Sequence, residues 1–266
     1  MAERHEESGA RRVMKIVAMV LASTAMALSV LASGVGSHIQ TQYQQEQWEQ
    51  RVDEANEAYE HHLWDKLLAP SFWLDEGPAK DVDDSLKENE IRVGELDELG
   101  RATGVKAKLT KEGYDEAKDV ERNDISNIKP TGWTKNREVD MTFPSGESYH
   151  GWFWNRSHLL AHSLGGPDVK ANLVTGTRAQ NVGDNKGDGG MAHCEEAART
   201  WLSEHEDGYL YYAATPVYEG DELVCRSVYV DMKSSDGTID TRTEVYNAAP
   251  GYTIEYATGT YSAEAS

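Results

Sequence analysis

Apolar and polar residues recur on different periods along this 266-residue chain, and each period predicts a different element. From Val13 to about Val35 the residues are apolar or small, with no charge after Lys15, and Arg11, Arg12 and Lys15 stand at the front. A basic flank ahead of an uncharged apolar run predicts an export signal over residues 1–36, with Val30-Leu31-Ala32 as the small-residue cleavage pattern. The run is also long enough to span a bilayer, so an uncleaved membrane anchor stays open. In either case the basic flank stays inside and the rest of the chain goes outside. Next, Trp48, Val52, Ala55, Tyr59, Leu63 and Leu67 recur at steps of three and four, one face of an amphipathic helix within 40–68. Pro70 ends it, and Asp75 to Asp84, with Gly77 and Pro78, reads as linker. Residues 37–90 are therefore expected to be an acidic helical stalk and linker, with a compact domain over 91–266.

Within that domain the period changes again. Thr110 to Asn127 is charged and suits a helix followed by a loop, and Lys129-Pro130-Thr131-Gly132-Trp133 is a turn leading to an aromatic anchor. Ser148 to Trp154 is aromatic and β-favouring, and Asn172-Leu173-Val174-Thr175 is a short strand candidate. Met191, Cys194, Ala198 and Leu202 give helical spacing over Met191 to Glu204. Tyr209 to Tyr218, Leu223 to Met232 and Arg242 to Tyr246 read as strands separated by turns at Glu219-Gly220-Asp221 and Ser234-Ser235-Asp236-Gly237. A β-meander beside helices predicts an α+β fold with a central antiparallel sheet flanked by helices.

Charge modifies this picture. The formal net charge is −20, which at first argues against a nucleic-acid partner. The distribution is uneven: residues 46–98 carry 17 acids against 5 bases, residues 191–266 carry 14 against 4, and residues 99–190 carry 12 acids and 13 bases. Any phosphate-binding groove is expected in that middle stretch. The two cysteines, Cys194 and Cys225, are too few for a structural zinc site, and in an exported domain a disulfide between them is expected.

The middle stretch also holds the candidate chemistry. His158 ends an aromatic strand after Arg156, and Asn172, Arg178, Asn181 and Glu195 follow in a polar, glycine-containing region. A histidine can take a proton from water near neutral pH. Amide oxygens suit Mg²⁺, which keeps most of its waters, and arginines grip phosphate with two donors. Such a set suits phosphodiester hydrolysis. His162, four residues after His158, lacks the intervening glutamate of a zinc protease and reads as structural.

Trp154-Asn155-Arg156-Ser157-His158-Leu159 resembles the Asp-Arg-Gly-His motif of the DNA/RNA non-specific endonucleases, the ββα-metal or His-Me finger enzymes, and is nearer their streptodornase and DNA-entry branch. The likeness continues through Leu96 to Ala102, Lys129 to Trp133, Ser163-Leu164-Gly165-Gly166, Asn172 to Val182, Gly190-Met191, Glu195, Thr215-Pro216-Val217-Tyr218 and Tyr246-Asn247. Asn155 stands where the wider family has Asp, and Ser157 where it has Gly. The resemblance implies a ββα-metal active site with His158 as general base. It implies Asn181 as the ligand of one Mg²⁺, with Mn²⁺ able to substitute, and Glu195 as acceptor for metal-bound water. Asn172 would position the histidine or the metal shell, and Arg156 would contact phosphate. Arg178 would also bind substrate phosphates, with Lys186 and Lys129 as further contacts. The implied substrate is DNA, with RNA left open, cut without sequence preference because backbone contacts carry little base information. The expected protein is extracellular, secreted or held at the outer membrane face. The competing reading is a non-catalytic surface module that binds DNA for capture or uptake.

Overall fold

The computed structural model describes residues 46–47, 50–51, 53–184 and 189–264. It divides into two units, Met1–Glu60 and His61–Ser266. In the first, residues 53–60 are helical. The signal or anchor expected over 1–36 lies outside the described residues, and no helix among those described is long and apolar enough to cross a membrane. The helix expected to reach residue 68 stops at Glu60. His62 has φ 55, a left-handed backbone that a right-handed helix cannot absorb.

In the second unit the elements are β1 (Trp73–Asp75), β2 (Ile91–Val93), β3 (Val105–Leu109), α1 (Lys111–Lys118), β4 (Glu138–Thr142), β5 (Ser148–Trp152), β6 (Trp154–His158), β7 (Leu173–Thr177), α2 (Arg178–Val182), α3 (Gly190–Glu204), β8 (Leu210–Val217), β9 (Ser227–Ser234), β10 (Asp240–Tyr246), β11 (Tyr252–Glu255) and β12 (Thr260–Ala263). The central antiparallel sheet runs β1-β10-β9-β8-β3-β2, and β4–β5, β6–β7 and β11–β12 are separate antiparallel pairs. The expected α+β architecture is present. The expected linker is not: Trp73 pairs with Val245 at the sheet edge, and the Lys80 amide donates to Asp231 at 2.7 Å. A three-residue strand is too short to show a period in sequence.

Long, β-favouring segments supply the central strands, with Tyr212 opposite Met232 and Val228 opposite Val245. Their inner face shares a core with α3, whose Met191, Cys194, Ala198 and Leu202 are fully buried. Met191 and Leu202 each contribute about 2 kcal/mol by leaving water. Leu159, Leu160, Leu164 and Val174 enter the same core. The chain just after His158 is thereby clamped to the sheet. A second cluster, with Met141, Phe153 and Trp154 under Tyr252 and Tyr261, supports the other end of β6. Gly190 has φ 60, and a Cβ there would lie 2.4 Å from the Ala179 carbonyl oxygen. Only glycine lets α3 start this close to α2.

The expected disulfide is absent: Cys194 and Cys225 are free, buried thiols. Cys194 bonds to Thr243 and Cys225 to Asn247, and burial pushes both thiols up to about 12. Thr243 and Asn247 are four residues apart along and just beyond β10, roughly 13 Å at ~3.3 Å per residue. A disulfide needs Cα atoms about 4.4–6.8 Å apart.

Candidate active site

β6 pairs with β7 so that His158 faces Leu173 and Arg156 faces Thr175, and α2 follows β7 without a break. Thr177 caps α2, its hydroxyl accepting from the Gln180 amide at 3.0 Å. In this two-strand-and-helix unit His158 stands at the end of β6 and Asn181 on α2. Glu195 lies one turn into α3, the helix that packs on α2.

Between β6 and β7 the chain makes a tight excursion. Leu159 and Leu160 are buried, Gly165 has φ 87, and the chain returns through Asp168 to Asn172. Asn172 is fully buried. Its Oδ1 accepts from the Leu160 amide at 3.0 Å, and its Nδ2 donates to the carbonyls of Leu160 at 2.9 Å and Pro167 at 3.0 Å. The asparagine expected to position the histidine or metal shell therefore spends its side chain on the loop that follows His158.

That excursion brings Asp168 to His158. His158 Nε2 lies 3.0 Å from Asp168 Oδ1, with the carboxylate side chain only 2 % exposed. Asp168 Oδ2 lies 3.3 Å from His162 Nδ1 and accepts from the Asn123 amide at 2.9 Å. Burial lowers the His158 pKa from its ordinary value, partly opposed by Asp168, so the ring is neutral at pH 7 as a base must be. For Asp168 burial works upward, but the bonds from His158 and Asn123 and the charge of His162 bring it below the usual range. Burial raises Glu195, against the charges of Arg199 and Arg122. Arg199 also bonds to Ser163 Oγ at 3.2 Å, tying α3 to the excursion.

A cleft of about 420 Å³ opens over this ring, lined by Arg122 to Ser126 together with Arg156, His158 and Asp168. Arg156 lies under one wall. Its Nε donates to the Ile128 carbonyl at 2.6 Å, its Nη2 donates to the Ser126 carbonyl, and its guanidinium lies 4.4 Å from the Trp133 ring centre. Two of its three nitrogens hold the loop that carries Arg122. Arg122 itself is exposed, and its charge acts on both His158 and Glu195. Arg178 lies on α2 with its Nε buried and unpaired and its guanidinium 5.2 Å from the Tyr149 ring centre. Lys129 is exposed on the turn beyond the cleft loop, outside the lining. Lys186 lies outside the described residues.

Neither Asp168 nor Arg122 is marked by a sequence motif, and His162, which reads as structural in sequence, also faces Asp168. The signal for Asp168 was indirect: Gly165-Gly166-Pro167, seven to nine residues after His158, is a turn sequence directly ahead of it.

Among the described residues no group of three or more His, Cys, Asp and Glu could hold a metal. A closed zinc-type shell is therefore not available there. Asn181 on α2 and Glu195 on α3, two helices packed on each other, are of the oxygen-donor type that suits a hard cation keeping most of its waters.

The chain belongs to the DNA/RNA non-specific endonuclease family, whose sequence model matches residues 81–236. It is 33% identical over 198 residues to a deoxyribonuclease of Streptococcus dysgalactiae subsp. equisimilis, the match taking in 64% of this chain and 60% of that protein. Its fold resembles the Sda1 nuclease with bound zinc ion, with TM-score 0.70 and 28% identity over 76% of this chain and 100% of that one. It also resembles NucA from Streptococcus agalactiae with magnesium ion bound, with TM-score 0.57 and 24% identity over 70% of this chain and 85% of that one.

Proposed function

We propose that this protein is an exported endonuclease that hydrolyses DNA phosphodiester bonds without sequence preference, using one Mg²⁺ and His158 as general base. RNA is the second substrate to test. The observation that carries this is the half-buried His158 at the end of β6, its Nε2 3.0 Å from the Asp168 carboxylate and its ring lining a cleft with Arg122 and Arg156. The relatives are named as nucleases, two with metal bound, and one similar structure is named an extracellular endonuclease.

In this reading β6, β7 and α2 are the ββα-metal unit. His158 removes a proton from a water in line with the scissile P–O bond, the water oxygen attacks phosphorus, and the bond to the leaving oxygen breaks. Asn181 would hold the cation, with Glu195 accepting from its waters. When bound, Mg²⁺ supplies positive charge for the phosphate and the leaving oxygen. Arg122 and the remaining donors of Arg156 grip phosphate, and Arg178 contacts the flanking backbone.

Incubation of the full-length protein with supercoiled plasmid and Mg²⁺ is expected to nick and then degrade it, and EDTA is expected to stop cutting. His158→Ala is expected to lower kcat by at least about 100-fold, the lower end for a general base. Retarded plasmid migration without cutting would instead support the DNA-capture reading. Mass spectrometry of the exported protein's N-terminus separates a cleaved signal from a retained anchor.

A further inference from the structure

We propose that Asp168 is a positioning residue, accepting the Nε2 proton of His158 so that Nδ1 is the nitrogen presented to water. This rests on the nuclease reading above and adds to it a defined tautomer and the group that enforces it.

The argument begins with acceptor chemistry. A neutral imidazole carries one N–H donor and one lone-pair acceptor. Ionised Asp168 can only accept, so the nitrogen it faces at 3.0 Å carries the proton. That nitrogen is Nε2, which leaves Nδ1 bare. The carboxylate has little freedom to change partner. It is 2 % exposed, and its second oxygen meets His162 Nδ1 and the Asn123 amide. His162 is itself fixed, its Nε2 lying 3.2 Å from the Val120 carbonyl. Both nitrogens of His162 thus face acceptors.

The backbone commits to the same arrangement. A Cβ on Gly166 would sit 1.8 Å from the Leu160 carbonyl oxygen, so only glycine permits the tight return. Asn172 then holds Pro167 against Leu160. The result delivers residue 168 to residue 158 and ties the Asn123 amide, and with it the cleft loop, to the same carboxylate. Orientation of the base and closure of the cleft wall therefore share one group.

The test uses full-length protein labelled with ¹⁵N-histidine. Long-range ¹H–¹⁵N spectra at pH 8, in EDTA and then in Mg²⁺, are expected to show His158 with Nε2 protonated and Nδ1 bare. Asp168→Asn and Asp168→Ala are expected to lower kcat by about 10–100-fold, the scale on which removing the hydrogen-bond partner of a metal-ligating histidine acts, with KM changed by less than about threefold. The acid limb of the kcat profile is expected to move to lower pH. Asp168 favours the protonated ring, so its removal lets His158 lose its proton more readily. The charges facing His158 are Asp168, His162 and Arg122, with Arg156 in the same cleft and Glu195 coupled through Arg122. These others are unchanged in the variants.

A wild-type spectrum with Nδ1 protonated overturns the proposal, and does so even if the variants fail to fold. Wild-type kcat and pH profile in Asp168→Ala would also overturn it. If His158→Ala is inactive while Asp168→Asn is normal, the positioning role falls and the nuclease reading stands. If the wild type cuts nothing, the nuclease reading falls and takes the catalytic role of Asp168 with it. The spectrum still reports whether the hydrogen bond exists.

Discussion

Replacing Asn172 with alanine separates two roles that sequence alone merges. A catalytic asparagine would lower kcat and leave the fold intact, whereas the geometry here makes Asn172 a loop clamp. Alanine removes three hydrogen bonds from a fully buried side chain. The Pro167 carbonyl still accepts from the Val169 amide at 3.0 Å, so its loss is partial. The Leu160 amide and carbonyl lose these partners inside the core, at about 1–3 kcal/mol each. The expected cost is about 4 kcal/mol. At roughly 2–4 °C per kcal/mol for a domain of this size, Tm falls by about 8–16 °C. Thermal unfolding followed by circular dichroism measures it, beside plasmid cleavage at a temperature where the variant stays folded. Activity falls too, because Leu159 and Leu160 anchor the end of β6. A Tm within about 2 °C of wild type together with lost activity would refute the clamp and return Asn172 to the catalytic shell.

Three further outcomes are expected. Arg156→Ala releases the Ser126 and Ile128 carbonyls and should make the cleft loop the first site of limited proteolysis, with Arg156→Lys no better because one ammonium cannot reproduce the planar fork. Denaturation should expose two thiols to a thiol reagent that finds none in the native protein, and a reducing agent should leave Tm unchanged. His62, bonded to the buried carboxylate of Glu244 at 2.7 Å, has its pKa raised first by that bond. Its protonation therefore stabilises the fold fully below its ordinary value and is lost as pH rises through the folded value, so His62→Ala should lower Tm more at pH 5.5 than at pH 9.

Legibility in the sequence followed length and repetition. α3 and the strands β8 and β10 stand close to their expected positions because each carries several periods of pattern. β9 begins at Ser227, later than its apolar run, because Val224 and Cys225 are buried in a loop instead. β1 and β2 have three residues each and no period to read. Within the site, His158 was marked by its motif. Asp168 and Arg122 were not, because their meeting with His158 depends on how two loops turn. Arg156 was visible, but its partners within the chain are backbone carbonyls, which no residue pattern displays. Two cysteines likewise say nothing of the distance between them.

The net charge of −20 remains the strongest objection from sequence to a nucleic-acid substrate, and the arrangement of the acids answers it. Four of the 17 acids over residues 46–98 are held in ion pairs along this stretch: Asp81 with Lys106, Asp83 and Glu90 with Arg92, and Asp97 with Arg101. Such pairs add little stability, but they turn those carboxylates toward cations and not toward solvent. Two acids line the cleft, and both are engaged. Asp124 accepts from the Ser126 amide and hydroxyl, and Asp168 from Asn123 while it faces the two histidines. Arg122 lines the same cleft and is exposed. A screening length of about 8–10 Å in physiological salt makes this local balance, and not the total, what a bound phosphate experiences. Each phosphate contact contributes about −0.9 to the slope of log affinity against log salt on duplex DNA. Arg122→Ala should therefore flatten that slope by close to one contact, measured with duplex DNA and the His158→Ala protein in Mg²⁺. An unchanged slope would mean that the phosphates are held elsewhere.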